Sequence, residues 1–414
     1  RSLDRVPLAP RQRRSLESAH LARDLAALLG TDAADRRLIR LAQLESTLLS
    51  VDRADATAGE RIVASLTDSD GFSLEAVAEV LDEALARGMT EAAEAAATVI
   101  GAKAGGPEPA MPPSVRAAVV RAMDCGDLGV RFAAARTLAV AGPTGPYAGR
   151  SRMLETLLDA ATSRGVVRAV VAHPDRFERQ RLVSSVAALG YTPTEAVRGR
   201  DAVVAVRESC DTRLVVLGER LGPPGAHETA QFASRIPADG PLRIVFAVDG
   251  RDIEAEVPAV SDDDRRKAAE RLARADESIR LVTKLARDDE PVAAAVPLVL
   301  EALYEPGLAV AAIEFLAVAG RPEAQAALQA ILVRPNASDE IRQRALDAFR
   351  ESVGRFGILL ETCAIADEYR RYNTSGDPAV RRWSGFVLDV LEAPRQGDPP
   401  TPAPSPSGDA PNPQ

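Results

Sequence analysis

The chain has 414 residues, of which 46% are hydrophobic, 27% charged and 4% aromatic, and it carries a formal net charge of −9. That length provides for two or three domains, and the acidic balance argues against a general nucleic-acid binder, which presents a basic face. The three cysteines, Cys125, Cys210 and Cys363, lack Cys-x-x-Cys spacing and cannot all pair, so no zinc site or disulfide framework is expected; each reads as a small buried hydrophobe.

Residues 1–14 carry Arg1, Arg5, Arg11, Arg13 and Arg14 and read as a solvated basic tail. The chain opens on arginine, so an upstream segment, such as a signal or anchor, is expected to be missing. Residues 15–165 read as helices joined by short loops. Leucines recur at helical spacing at positions 21, 25, 28 and 29 and again at 38, 41, 44, 48 and 49. Further helices are predicted over Leu74–Ala86, Glu91–Ile100, Ser114–Met123, Val130–Val140 and Met153–Ala161, punctuated by Gly30, Gly59, Gly88 and Gly142.

A repeat lies within this pattern. Gly129 to Gly142 is echoed by Gly307 to Gly320, and both end in Leu-Ala-Val-Ala-Gly. A second signal is an acidic or small polar residue followed by an aliphatic-Arg pair. It occurs at Asp35 with Ile39-Arg40, Asp127 with Val130-Arg131, Ser338 with Ile341-Arg342, and Asp377 with Val380-Arg381. The polar residue is expected to cap a helix, the aliphatic residue to enter the core, and the arginine to reach a neighbouring unit. These residues resemble HEAT-type helical repeats, which implies a solenoid of stacked helix pairs over residues 15–165 and 305–393.

From Val166 the period changes. Short apolar strands are predicted at Val166–Ala172, Thr194–Val197, Leu214–Leu217, Arg243–Val248 and Ile279–Thr283. Helices are predicted between them at Arg176–Leu189, Asp201–Glu208, Ala226–Arg235 and Asp264–Ala275, with another from Pro291. Alternating strands and helices imply a flavodoxin-like parallel sheet of five strands, covered on both faces. Gly250–Val260 reads as an insertion after the fourth strand.

In element order, and in the Ala-Leu-Gly-Tyr landmark at 188–191, residues 166–304 resemble a response-regulator receiver domain. The resemblance implies an acidic pair after the first strand, a phosphoryl-accepting aspartate ending the third, a hydroxyl ending the fourth and a lysine ending the fifth. Here the acidic pair falls on His173 and Pro174, with Asp175 beside them. The acceptor position is Gly218, the hydroxyl position is Ala247, and only Lys284 keeps the implied residue type. Glu219 lies one residue beyond the acceptor, and strand alternation turns it to the other face.

Other features are read plainly. His173, His20 and His227 have no second metal ligand spaced with them. Gly222-Pro223-Pro224-Gly225 lacks the order of a phosphate loop and reads as a rigid loop, and Asp262-Asp263-Asp264 suits a helix N-terminus. The longest apolar region, Pro291 to Gly320, is interrupted by Glu301, Glu305 and Glu314 and does not read as a membrane span. Residues 394–414, with prolines at 399, 400, 402, 404, 406, 411 and 413, are expected to be disordered.

The expectation is therefore a non-catalytic scaffold without cofactor or metal, which binds other proteins and not nucleic acid. The resemblance implies a phosphorylation-incompetent receiver-like module in a bacterial signalling protein. A cytoplasmic location is expected, with an envelope-associated or exported protein as the alternative if an upstream signal was removed. The competing function is small-ligand sensing, of a nucleotide or an anion, in a crevice near His173, Asp175, Gly218 and Lys284.

Overall fold

Ser73 opens the first helix whose start is fully defined, its Oγ accepting the Ala76 N–H at 3.2 Å. Such a cap satisfies one of the donors that every helix leaves unpaired. The structure, a computed structural model, describes residues 17–20, 33–50, 73–104, 111–141, 147–236, 242–288 and 292–393, with 33–35 and 47–50 described by backbone alone. The basic N-terminal stretch, the leucines at 21–29, Gly30, Gly59, Gly142 and the proline-rich tail lie outside these residues. The chain divides into two compact units, Arg1–Ala311 and Ala312–Gln414.

The first unit begins with six helices: α1 Ala33–Ser50, α2 Leu74–Ala86, α3 Thr90–Ala104, α4 Pro113–Ala122, α5 Leu128–Ala141 and α6 Arg150–Ala161. Helix α2 packs on α3 and α4, while α3 packs on α1 and α5. Alanine makes the α3–α5 contact close: Ala92, Ala93, Ala95, Ala96 and Ala97 are all buried. A Cβ on Gly101 would lie 2.6 Å from Thr137 Oγ1, and that hydroxyl donates to the Ala97 carbonyl at 2.7 Å. A larger residue at either position would force the two backbones apart.

The expected caps are found at three of the four repeat positions. Asp127 Oδ1 accepts the Val130 N–H at 3.0 Å, Ser338 Oγ accepts from Ile341 at 3.3 Å, and Asp377 Oδ1 accepts from Ala379 at 2.8 Å. Asp35 differs, because α1 already begins at Ala33 and places it inside the first turn. Arg131 does reach a neighbouring helix, with its guanidinium 3.8 Å from Asp159 of α6. Arg342 and Arg381 turn instead to the carbonyls of Arg334 and Ser375, at 2.8 and 2.5 Å.

Between residues 168 and 247 the chain forms β1 Arg168–Ala172, α7 Arg176–Ala188, β2 Thr192–Ala196, α8 Gly199–Arg207, β3 Thr212–Gly218, α9 Ala226–Ala233 and β4 Arg243–Ala247. The four strands are parallel, in the order β2-β1-β3-β4. Alternation along the strands divides the core. Val171, Leu214, Val216 and Val245 face Leu182 and Val186 of α7, while Val170, Val215 and Leu217 face Ala202 and Val206 of α8. Ile253 and Val257, in the segment read as an insertion, cover the first of these faces beside β4.

The expected fifth strand is absent. Ile279–Thr283 lies inside α10, Asp262–Arg287, the longest helix among the described residues. The β-branched run suggested a strand, but no glycine or proline interrupts the chain from Ser261 to Asp288. Ser261 and Asp264 form a reciprocal capping box, the first turn is acidic, and Lys284 and Arg287 occupy the last turn. Buried Ala268, Arg271, Ala275, Ile279, Val282 and Ala286 recur every three or four residues, a helical spacing that prevails over local strand propensity. Helix α10 packs on α5 and α6. A short 3₁₀ turn at Ala293–Ala295, α11 Val296–Ala302 and α12 Ala309–Val318 follow, and the division between the units falls within α12.

In the second unit, α13 Pro322–Leu332, α14 Asp339–Phe356, α15 Thr362–Thr374 and α16 Pro378–Glu392 pack as the pairs α13–α14 and α15–α16, with α16 also against α13 and α14. Glu368 of α15 is fully buried, and its carboxylate accepts from Gln329 at 2.6 Å and Arg371 at 2.7 Å. Among the described residues no helix is long and apolar enough to cross a membrane.

Candidate functional site

Ligands of open parallel sheets bind beyond the carboxyl ends of the strands. Here that edge is built from the residues after β1, β3 and β4. His173, Pro174 and Asp175 follow β1, Gly218 ends β3, and Ala247 ends β4 in register with Gly218. Five of the six expected site positions therefore gather at one edge. Lys284 does not join them: it is exposed in the last turn of α10, a consequence of the helix that replaces the fifth strand.

His173 is 1% exposed, and its ring lies against Gly218. A Cβ on Gly218 would sit 2.1 Å from His173 Cδ2 and 2.9 Å from Nε2, far inside van der Waals contact. Gly218 is not among the glycines with positive φ, so space and not backbone conformation requires glycine there. The imidazole thus occupies the volume that any side chain at the end of β3 would need.

The ring is held at both nitrogens. The Asp175 N–H donates to Nδ1 at 3.1 Å, with the Asp175 carbonyl at 3.2 Å, and Nε2 lies 3.0 Å from Asp249 Oδ1. In the tautomer whose Nδ1 accepts the Asp175 N–H, the Nε2 proton is directed at Asp249. The other oxygen of Asp249 pairs with Arg220 at 3.1 Å, and this arginine follows β3 and is largely exposed. Asp249 and Arg220 were missed in the sequence. The available signal was position, since Asp249 follows β4 at the same edge as His173.

Asp175 caps α7, accepting the N–H groups of Phe177 at 2.8 Å and Glu178 at 3.0 Å. The Glu178 N–H, then that of Phe177, stabilises the carboxylate and holds the Asp175 carboxyl below its usual range. Glu178 is likewise lowered, first by its hydrogen bond to Arg181 and then by the Gly250 N–H. Arg179 ties the edge to β2, donating to the His173 carbonyl at 2.8 Å and to Glu195 at 3.0 Å. Glu219 is exposed, and its N–H bonds to the Ala247 carbonyl at 3.3 Å.

The amino end of the sheet carries a second polar cluster. Asp211, just before β3, is 0% exposed and meets Arg271 of α10, 2% exposed, at 2.9 Å. The carboxylate also accepts Ser163 Oγ at 2.7 Å and the Arg164 N–H at 2.6 Å, while Arg271 Nη2 donates to the Val166 carbonyl at 3.0 Å. Neighbouring Cys210 has its thiol pushed up to about 11 by burial, with the negative charge of Asp211 adding to the shift. Cys125 and Cys210 are half-buried and Cys363 is exposed, which corrects the reading of all three as buried hydrophobes. Cys363 lies in the first turn of α15, a helix that buries little beyond Glu368.

Of the remaining candidates, His20 is exposed on a helical stretch and His227 is exposed with its ring 4.8 Å from Phe246. The Gly222–Gly225 loop leads into α9, with Glu228 accepting the Gly225 N–H at 3.2 Å. Among the described residues no group of three or more His, Cys, Asp or Glu is arranged to hold a metal.

No family model matches the chain, and no curated protein matches it. Among solved structures it is similar to a crystal structure of an engineered protein, with 16% identity, 92% of this chain and 94% of that chain covered, and a TM-score of 0.28. A likeness at that score carries no argument about fold or function.

Proposed function

We propose that the chain is a non-catalytic interaction scaffold, in which a receiver-like sheet that does not accept a phosphoryl group is combined with HEAT-type helical repeats. The observation that carries the proposal is the filled position at Gly218: the residue that would accept phosphate has no carboxylate, and the His173 ring occupies its place. Phosphoryl transfer to an aspartate needs a carboxylate oxygen aligned with the donor and cations to neutralise the developing charge. At this edge Asp249 is engaged with His173 and Arg220, and Asp175 with the start of α7.

The helix layers α2–α4 and α3–α5, with caps at Asp127, Ser338 and Asp377, support the repeat reading. Solenoids of this kind present extended surfaces to other proteins. The partners are accordingly other proteins, and a cytoplasmic location belongs to the same proposal. The small-ligand reading depended on Lys284 beside the crevice, and the position of this lysine on α10 gives that reading no support.

The test is to incubate the full chain with acetyl phosphate and Mg²⁺ and to measure its intact mass. The mass is expected to remain unchanged. A stoichiometric, acid-labile phosphoryl adduct would overturn the proposal.

A further inference from the structure

The sheet ends in two edge strands that differ in chemistry. In β2 the Thr192 N–H and the Ala196 carbonyl bond toward the β1 side, so Pro193 and Glu195 present their main chains outward. Pro193 has no N–H to offer, and Glu195 brings a charge that Arg179 holds at 3.0 Å. Proline and charge are the usual devices that stop an edge from pairing with another chain.

Strand β4 has neither device at the corresponding positions. Ala247 accepts from the Glu219 N–H, so alternation turns Ala247 and Val245 toward β3 and turns Ile244 and Phe246 outward. Both residues keep a donor and an acceptor, and among the described residues neither main chain is hydrogen-bonded on its outer side. Both are strong strand formers, and Phe246 is 36% exposed, with the His227 ring 4.8 Å away. Unpaired main-chain groups on a strand with an exposed aromatic form a template for strand addition.

We propose that β4 pairs antiparallel with β4 of a second copy of this chain, about a two-fold axis at Val245. The strand is self-complementary in that register. Ile244 stands opposite the second copy's Phe246, and residues that face each other with outward groups exchange both hydrogen bonds. Their side chains share one face, which gives an aliphatic–aromatic cross-strand pair on each side of the axis. Arg243 falls opposite Ala247, so no like charges oppose each other. The contact makes one continuous sheet from two copies, an isologous interface of the kind a two-fold axis requires. A single short strand pair is small beside a standard interface, so association in the micromolar range is expected.

Sedimentation of the full chain from about 1 to about 200 µM spans that range. The wild type is expected to shift from monomer to dimer, and Phe246→Lys and Ile244→Pro to weaken the dimer about tenfold or more. Amide exchange in the wild type reads the same contact without substitution: the Ile244 and Phe246 amides are protected at high concentration and lose protection on dilution. A wild type that stays monomeric overturns the proposal. So do folded variants that dimerise undiminished, or amides whose exchange does not depend on concentration.

Discussion

At the amino end of the sheet Asp211 and Arg271 meet at 2.9 Å with almost no access to water, while at the carboxyl end Asp249 holds His173 and the largely exposed Arg220. The amino-end pair is surrounded by partners from the segment between α6 and β1: Ser163 Oγ and the Arg164 N–H donate to Asp211, and the Val166 carbonyl accepts from Arg271. It fixes α10 to the base of the sheet. The carboxyl-end group fills a hollow, with a ring standing where another strand residue would project. The same sheet thus uses buried charge to lock its frame at one end and an imidazole to close its conventional binding edge at the other.

Removing one partner from the amino-end pair is expected to have the largest effect. Arg271→Ala leaves the Asp211 carboxylate buried without its counter-charge and should destabilise the fold by about 3–5 kcal/mol, read from urea denaturation. Replacing both residues with apolar side chains of similar size should cost much less, because no orphaned charge remains. Equal losses from the single and double replacements would remove the distinction between the two ends.

At the carboxyl end Asp249→Asn is expected to cost only about 1 kcal/mol, since the group is partly solvated and its pair with Arg220 lies at the surface. A loss as large as that for Arg271→Ala would make both ends structural locks of the same kind.

The smallest expected effect is at Asp175. Its folded value is lowered by the Glu178 and Phe177 N–H groups, so its contribution to stability is present above the unfolded value of about 3.9. That contribution is lost as pH falls through the lowered folded value. Carboxyl-carbon NMR titration should place Asp175 below about 3.9, and a value at or above it would remove the cap from the account.

The alternation of the first four strands with helices and three of the four repeat caps were legible because periodicity and capping are local. The position of His173 beside Gly218 was legible only as two residues following neighbouring strands; that the ring fills the space of a side chain is a packing fact between β1 and β3. The fifth strand failed for a different reason. Ile279–Thr283 has strand-like side chains, but its fate was decided by an uninterrupted flank and by burial against α5 and α6, contacts remote in sequence. Lys284 was displaced with it. The Asp211–Arg271 pair left no pattern, because sixty positions separate residues that meet only in the folded chain.

The most direct test of the closed carboxyl edge is a double-mutant cycle on Gly218→Ala and His173→Ala, with stability measured by denaturant unfolding. Alone, Gly218→Ala should cost about 1–3 kcal/mol, since the added methyl meets the His173 ring. In the His173→Ala background that loss should shrink, leaving a coupling of about 1 kcal/mol or more. If Gly218→Ala costs the same in both backgrounds, the ring does not occupy that space and the account of a filled hollow at the end of β3 is contradicted.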